Sequence, residues 1–249
     1  MNINPIAFTI FNIDVHWYGI LIAIGAFLAI YFAGKLAKRE GLYNDVMIDF
    51  AFFAVIFGVI GARLYYVIFN WDYYSKYPAQ IFNTRNGGLA IYGGIIAGII
   101  VGYIFSKVKK IDFFTLADCV IPGVSLAQGI GRWGNFINVE AYGRPTDLPW
   151  AITVNGQKVH PTFLYESILD IGIFLLLYFY LSKHKKFNGQ LFMTYFILYG
   201  LGRFLIEGLR TDSLYLGPIR VSQLVSLIIL AIGLAAYIYF YKKEGKINK

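Results

Sequence analysis

Three polar stretches interrupt an otherwise apolar chain, and their residue types suit the handling of an anion. In GRWGNFINVEAYGR (131–144), Arg132 offers a planar fork of donors, Asn135 and Asn138 are amides one turn apart if the segment is helical, and Glu140 can orient a guanidinium or accept a proton. The glycines of this stretch, Gly143 among them, let backbone approach a ligand closely. Read plainly, it is a turn with an interfacial arginine. In YGLGRFLIEGLR, Tyr199, Arg203 and Glu207 fall at i, i+4 and i+8 with Arg210 next along, which puts all four on one helical stripe. Arg203 and Glu207 are then either a structural ion pair or a carboxylate steadying an arginine for a phosphate. HPTFLYE (160–166) opens a helix with proline near its first turn, and His160 is suited to proton transfer or to a structural hydrogen bond.

Weaker signals lie elsewhere. NGGLAIYGGIIAG (86–98) has the glycine pattern of a helix packed tightly on a neighbour, from which Tyr92 projects. Arg63 follows Gly58 and Gly61 on another helix, where it snorkels or joins an anion-binding set. Tyr18, beside Trp17, reads as an interfacial aromatic.

The elements that position these residues must cross a bilayer. The chain has 249 residues, 58% hydrophobic and 14% charged, with a mean hydropathy of +0.59, so most of it lacks a polar face. A spanning helix needs about 20 apolar residues. Runs 15–34, 87–106 and 221–241 meet that without a charge, and four weaker segments (46–69, 113–131, 163–182 and 187–206) join them. The expectation is an all-α polytopic membrane protein of about seven transmembrane helices. The fourth should be broken at Pro122 and Gly129, and a short irregular outer segment should link the fourth to the fifth. No domain boundary is visible, so 1–249 reads as one membrane domain. The first Lys or Arg is Lys35, after the first apolar run, unlike the basic start of a removable signal peptide.

Charge placement gives orientation. Thirteen of the 22 basic residues sit after the odd-numbered spans, at 35–39, 107–110, 183–186 and 242–249, and twelve of them are lysine. By the positive-inside bias the amino terminus is out and the carboxyl terminus in. The opposite side and the span interiors hold Arg63, Arg85, Arg132, Arg144, Arg203, Arg210 and Arg220 but only Lys76 and Lys158. A lysine serves topology as well as an arginine does. A bidentate grip on phosphate or carboxylate requires arginine. Seven arginines at or beyond membrane depth therefore read as an anion-recognition set, some members of which pair with Asp72, Glu140, Glu207 or Asp212.

In a soluble chain the net charge of +8 would suggest nucleic acid; here it reports topology, and no nucleic-acid partner is expected. The single cysteine, Cys119, excludes an internal disulfide. No nucleotide loop or zinc pattern occurs, and no cofactor or metal is expected.

The order of GRWGNFINVEAYGR, HPTFLYE, YGLGRFLIEGLR and NGGLAIYGG across these spans resembles the prolipoprotein diacylglyceryl transferase family, from WYG at Trp17 to Ser222. The resemblance implies an enzyme of the bacterial cytoplasmic (inner) membrane with its active site toward the outer leaflet. It would move the diacylglyceryl group of phosphatidylglycerol onto the lipobox cysteine of a preprolipoprotein signal peptide, forming a thioether and releasing glycerol phosphate. It also implies that Arg132 binds phosphatidylglycerol, with Asn135, Glu140 and Gly143 beside it, and that Tyr18, Tyr199, Arg203 and Glu207 are site residues. Where many relatives carry a histidine before the glycine pair this chain has Tyr92, leaving Tyr92 or His160 to assist removal of the thiol proton. Arg63, Asn138 and Arg210 complete the expected substrate-binding set. The competing class is a secondary transporter or channel for an anionic solute, since intramembrane arginines and glycine-broken helices also build such pathways. No internal repeat supports it.

Overall fold

The computed structural model describes residues 3–84 and 87–247, so Arg85 and Lys249 fall outside the described residues. The elements follow in order. A hairpin of β1 (Ile6–Ile10) and β2 (Ile13–His16) leads into α1 (Trp17–Arg39), α2 (Val46–Phe69), the short α3 (Trp71–Tyr74), α4 (Ile91–Lys109) and α5 (Phe113–Ile137). A second hairpin, β3 (Ile152–Val154) and β4 (Gln157–Val159), precedes α6 (Thr162–Leu175), which continues through a π turn to Tyr180. Then come α7 (Gln190–Glu207), a two-residue hairpin of β5 (Tyr215–Leu216) and β6 (Ile219–Arg220), and α8 (Val221–Ile247). All three hairpins are antiparallel.

Six of these helices are long and apolar enough to cross a membrane: α1, α2, α4, α5, α6 with its continuation to Lys183, and α8. The helix α7, 18 residues long and carrying Gln190, Arg203 and Glu207, is not among them. Large apolar side chains are exposed along α2, among them Phe52, Val55, Val59 and Leu64, as expected of a surface meeting hydrocarbon rather than water.

Two expectations change. The fourth predicted helix is not broken at Pro122 or Gly129; α5 runs unbroken to Ile137, placing Arg132 and Asn135 on a helix. In apolar surroundings, leaving the helical ladder exposes more backbone than the single hydrogen bond a proline removes. The segment between α5 and α6 is also not simply irregular. Asn155 and Gly156, both left-handed with φ of 49° and 81°, make the two-residue turn of the β3–β4 hairpin.

The chain divides into two compact units, residues 37–117 and residues 1–36 with 118–249. In the 37–117 unit α2 packs on α4 with the backbones nearly touching. A Cβ on Gly93 would lie 2.3 Å from the Gly61 carbonyl oxygen, so glycine is required there. Arg63 is buried in this unit and donates to five carbonyl oxygens, those of Gln80, Ile81, Asn83, Gly87 and Gly88, at 2.6 to 3.2 Å. Tyr92 faces the ring of Tyr65, centroids 6.4 Å apart.

In the larger unit a core of Ile121, Ile173, Leu177, Leu191 and Tyr195 joins α5, α6 and α7. Buried Asp118 of α5 accepts from the backbone N–H groups of Gly189 and Phe192 at 2.8 and 2.9 Å. A carboxylate at a helix N-terminus satisfies donors that have no intrahelical acceptor and complements the helix dipole. It thereby fixes the start of α7, whose other end carries Arg203 and Glu207.

Candidate active site

Two helices of the larger unit, α5 and α7, and the segment after α7 deliver three guanidiniums to one buried carboxylate on α6. Glu166, in the second turn of α6, receives Arg132 of α5 at 2.5 Å, Arg203 of α7 at 2.6 Å and Arg210 at 3.1 Å. Arg203 simultaneously bonds Glu207 at 2.6 Å, four residues on. Arg210 is held at 2.7 Å by Asp212, whose side chain is 49% exposed. Tyr199, Arg203 and Glu207 share α7 as their spacing predicts, whereas α7 ends at Glu207 and Arg210 lies beyond the helix, in a bridge with Gly143. The arginines' shared partner Glu166, the final residue of HPTFLYE, is the residue that spacing alone did not single out.

Local structure explains why the arginines meet. Beyond α5 the chain turns through Val139 and Ala141, both at left-handed φ (56° and 57°), a conformation a β-branched side chain rarely adopts. It then runs extended, with Gly143 N–H donating to the His160 carbonyl at 2.9 Å, His160 N–H to Arg144 at 3.1 Å, and Arg144 N–H to Leu209 at 2.8 Å. Gly143 also pairs with Arg210 in an isolated bridge. This strap ties the end of α5 to the start of α6 and the end of α7. A side chain does not fit at its centre: a Cβ on Gly143 would lie 2.6 Å from that of His160. Gly143 thus acts through close backbone packing. The hydroxyl of Thr162 donates to the Ala141 carbonyl, adding a second tie.

The other predicted residues take varied places. Glu140 accepts from the side-chain amides of Asn135 at 2.9 Å and Asn138 at 3.3 Å, and Asn135 in turn faces Arg132 at 3.5 Å. Glu140 therefore reaches Arg132 through an amide. Tyr18 lies against Gly134 on α5, and Tyr199 stacks on Tyr195 at 5.3 Å. His160 Nδ1 lies 3.2 Å from the Tyr165 hydroxyl, which accepts from the Trp150 indole at 2.8 Å. The Tyr165 hydroxyl thus ties the His160 ring to Trp150. Among the described residues the His160 side chain makes no ion pair or hydrogen bond to Arg132, Arg203 or Arg210. Arg220 donates to the Glu207 carbonyl and, at 3.0 Å, to the Tyr215 hydroxyl, while Arg144 is exposed. Arg63 and Tyr92 belong to the smaller unit described above.

Electrostatically the cluster is a group of guanidiniums packed against buried counter-ions. Arg132, Arg203 and Arg210 face Glu166 and Glu207, three positive charges against two negative. Asp212 is partly in solvent, where screening weakens its contribution. Burial opposes the charge on Arg210, yet its hydrogen bonds to Asp212 and the nearby carboxylates outweigh this and raise its pKa above that of an ordinary arginine. Asp212 is likewise penalised by burial but held below the usual carboxylate range by Arg210. Removing one partner from such a network leaves an uncompensated buried charge at a cost of roughly 3–5 kcal/mol. The arrangement can do two things: present guanidinium donors to an oxyanion, and hold those donors rigid before it arrives. Among the described residues no group of three His, Cys, Asp or Glu side chains is placed to hold a metal.

Comparison with known proteins gives the family. The family profile for prolipoprotein diacylglyceryl transferase matches residues 5–239. The chain is similar to the phosphatidylglycerol–prolipoprotein diacylglyceryl transferases of Clostridioides difficile (strain 630), at 56% identity over 97% of each chain, and of Finegoldia magna, at 55% over 97% of each. It is similar also to that of Staphylococcus aureus (strain JH9), at 46% identity over 95% of this chain and 89% of the other. By the profile match and by these near-full-length identities, this chain belongs to the prolipoprotein diacylglyceryl transferase family.

Proposed function

We propose that this protein transfers the diacylglyceryl group of phosphatidylglycerol to the thiol of the lipobox cysteine in a preprolipoprotein signal peptide. The products are a thioether and glycerol phosphate, and the reaction is the first step of bacterial lipoprotein maturation. The observation that carries the reading is the convergence of Arg132, Arg203 and Arg210 on Glu166. The reaction breaks the bond between the glycerol carbon and its phosphate oxygen, and the electron pair leaves with that oxygen. Fixed guanidinium donors stabilise the charge that develops there. Arg132 and Arg203 hold the lipid phosphate with the donors their carboxylate partners leave over. Glu207 orients Arg203 directly, Glu140 orients Arg132 through Asn135, and Asn138, Tyr18, Tyr199 and Arg210 complete the lining. The sequence suggests Tyr92 or His160 as the group that assists proton removal, and the His160 ring is tied to the Tyr165 hydroxyl.

The protein acts as one integral membrane domain. In the membrane α7 also spans, as the sixth of seven helices, its polar residues sheltered by packing between α6 and α8. The lysine-rich ends of α1, α4, α6 and α8 support a carboxyl terminus inside, with the arginine cluster toward the outer leaflet of the cytoplasmic membrane. A lipoprotein signal peptide has its basic end inside, so its cysteine arrives on the arginine side.

The test is mass spectrometry on purified protein incubated with phosphatidylglycerol and a lipobox peptide. A diacylglyceryl mass increment on cysteine supports the reading. Transport of an organic phosphate with the peptide unmodified would favour a secondary transporter and overturn it.

A further inference from the structure

One buried acid beneath the arginines has no assigned task. Asp170 lies on α6 four residues past Glu166 and is 1% exposed. Its Cβ abuts α5, where a Cβ on Gly129 would be 3.3 Å away, and its backbone carbonyl accepts from the Ser125 hydroxyl at 2.7 Å. Among the described residues neither carboxyl oxygen of Asp170 has a hydrogen-bond partner. Burying such a group unpaired costs free energy, and ionisable residues at membrane depth commonly mark function.

The helical repeat places it in a second layer. Gly129 is three residues before Arg132 on α5, Asp170 four after Glu166 on α6, and Tyr199 four before Arg203 on α7. All three steps run from the strap toward the middle of the helices, so Asp170 and Tyr199 lie one turn, about 6 Å, below the arginine layer. The charged and titratable groups around the Asp170 carboxyl are Arg132 of α5, Glu166 of α6, and Arg203, Tyr195 and Tyr199 of α7.

In-line displacement needs a group at that depth. With the phosphate on the arginines, the acyl chains run toward the bilayer centre and the reacting carbon lies just below the leaving oxygen. The sulfur must approach that carbon from the side opposite the oxygen, about 3–3.5 Å away at the start. Its proton must meet a base within about 3 Å more. The sum is close to one helical turn.

We infer that Asp170 is the catalytic base that takes the proton from the substrate thiol. The inference rests on the proposed function. The S–H bond breaks and an O–H bond forms on Asp170. A C–S bond forms, and the C–O bond breaks with its electron pair on the phosphate oxygen. Asp170 loses one negative charge as the departing phosphate gains one, so the net charge among the arginines is conserved through the step.

The experiment compares the unmodified protein with Asp170→Asn on two peptides, one with cysteine and one with selenocysteine at the acceptor position. A selenol is already ionised at neutral pH and needs no base. Asp170→Asn should lower kcat with the cysteine peptide by a hundred-fold or more, in the range of about 10²–10⁴ found for lost general bases, with KM for phosphatidylglycerol little changed. With the selenocysteine peptide it should recover to within about tenfold of the unmodified protein, since a lost base contributes nothing there. Equal loss on both peptides, or no loss on cysteine, overturns the inference. If Asp170→Asn does not purify as a folded protein, Asp170→Ser, also unable to take the proton, is assayed with the same two outcomes. Failure of the unmodified protein to alkylate either peptide would instead remove the proposed function itself.

Discussion

Arg203→Lys keeps the charge at the centre of the cluster and removes only the fork. Arg203 spans Glu166 and Glu207, each at 2.6 Å, from two different nitrogens of one plane. A single ammonium on a flexible stem does not bridge both carboxylates in the same fixed plane, so one charge-assisted hydrogen bond is lost, a loss of about 1.5–3 kcal/mol. If that bond served only to position the site, the cost would be about 10- to 150-fold in lipid affinity. A donor aimed at the developing oxyanion costs more in turnover, about 10²–10³-fold in kcat. The expected result for Arg203→Lys is therefore a fall of about a hundred-fold or more in kcat with a smaller rise in KM for phosphatidylglycerol. Thioether formation on a lipobox peptide, followed by mass spectrometry over a range of lipid concentrations in mixed micelles, separates the two parameters. A melting temperature within a few degrees of the unmodified protein shows that the cluster still folds. Turnover within threefold of normal would refute the fork reading, because charge alone would then suffice.

Further predictions follow from single contacts. Gly143→Ala should cost about 1–3 kcal/mol of stability by overpacking against His160, visible as a lower melting temperature with reduced turnover as the Arg210 bridge shifts. Asp118→Ala should cost up to about 2 kcal/mol, read in hydrogen exchange as earlier opening of the first turn of α7. Asp212 is held below the usual carboxylate range by Arg210 despite its burial. The stability it contributes is thus complete above its unfolded pKa of about 4 and is lost as pH falls through the lower folded value. Unfolding midpoints measured downward from pH about 5 should fall more steeply in the unmodified protein than in Asp212→Asn. His160→Ala and Tyr92→Phe should each retain more than about a tenth of normal turnover, less than the loss a missing general base produces.

Much of the architecture could be read from apolar runs. The span predicted at 46–69 coincides with α2, and every other predicted span overlaps an observed helix, because in hydrocarbon the backbone has few alternatives. The predicted breaks failed at Pro122 and Gly129 for the same reason. The hairpin between α5 and α6 was signalled by Asn155–Gly156, a turn pair that the surrounding polar residues obscured. The stripe Tyr199, Arg203, Glu207 was visible because helical periodicity is local. Glu166 and Asp118 were not, since each reads as an isolated charge weakening an apolar run, and their partners lie 34 to 74 residues away in sequence. The roles of the outer arginines diverged likewise: Arg63 holds a loop through five carbonyls while Arg132 meets Glu166, a difference no composition carries.

The most direct measurement is solid-state NMR of dipolar coupling between phosphatidylglycerol phosphorus and ¹⁵N-labelled arginine guanidinium nitrogens, recorded on the unmodified protein and on Arg132→Lys and Arg203→Lys. Strong phosphorus dephasing of guanidinium signals that vanish in each variant is the predicted result. Dephasing that survives both substitutions, or that appears only on ¹⁵N-labelled lysines, would place the lipid phosphate elsewhere and contradict phosphate binding by the arginine cluster.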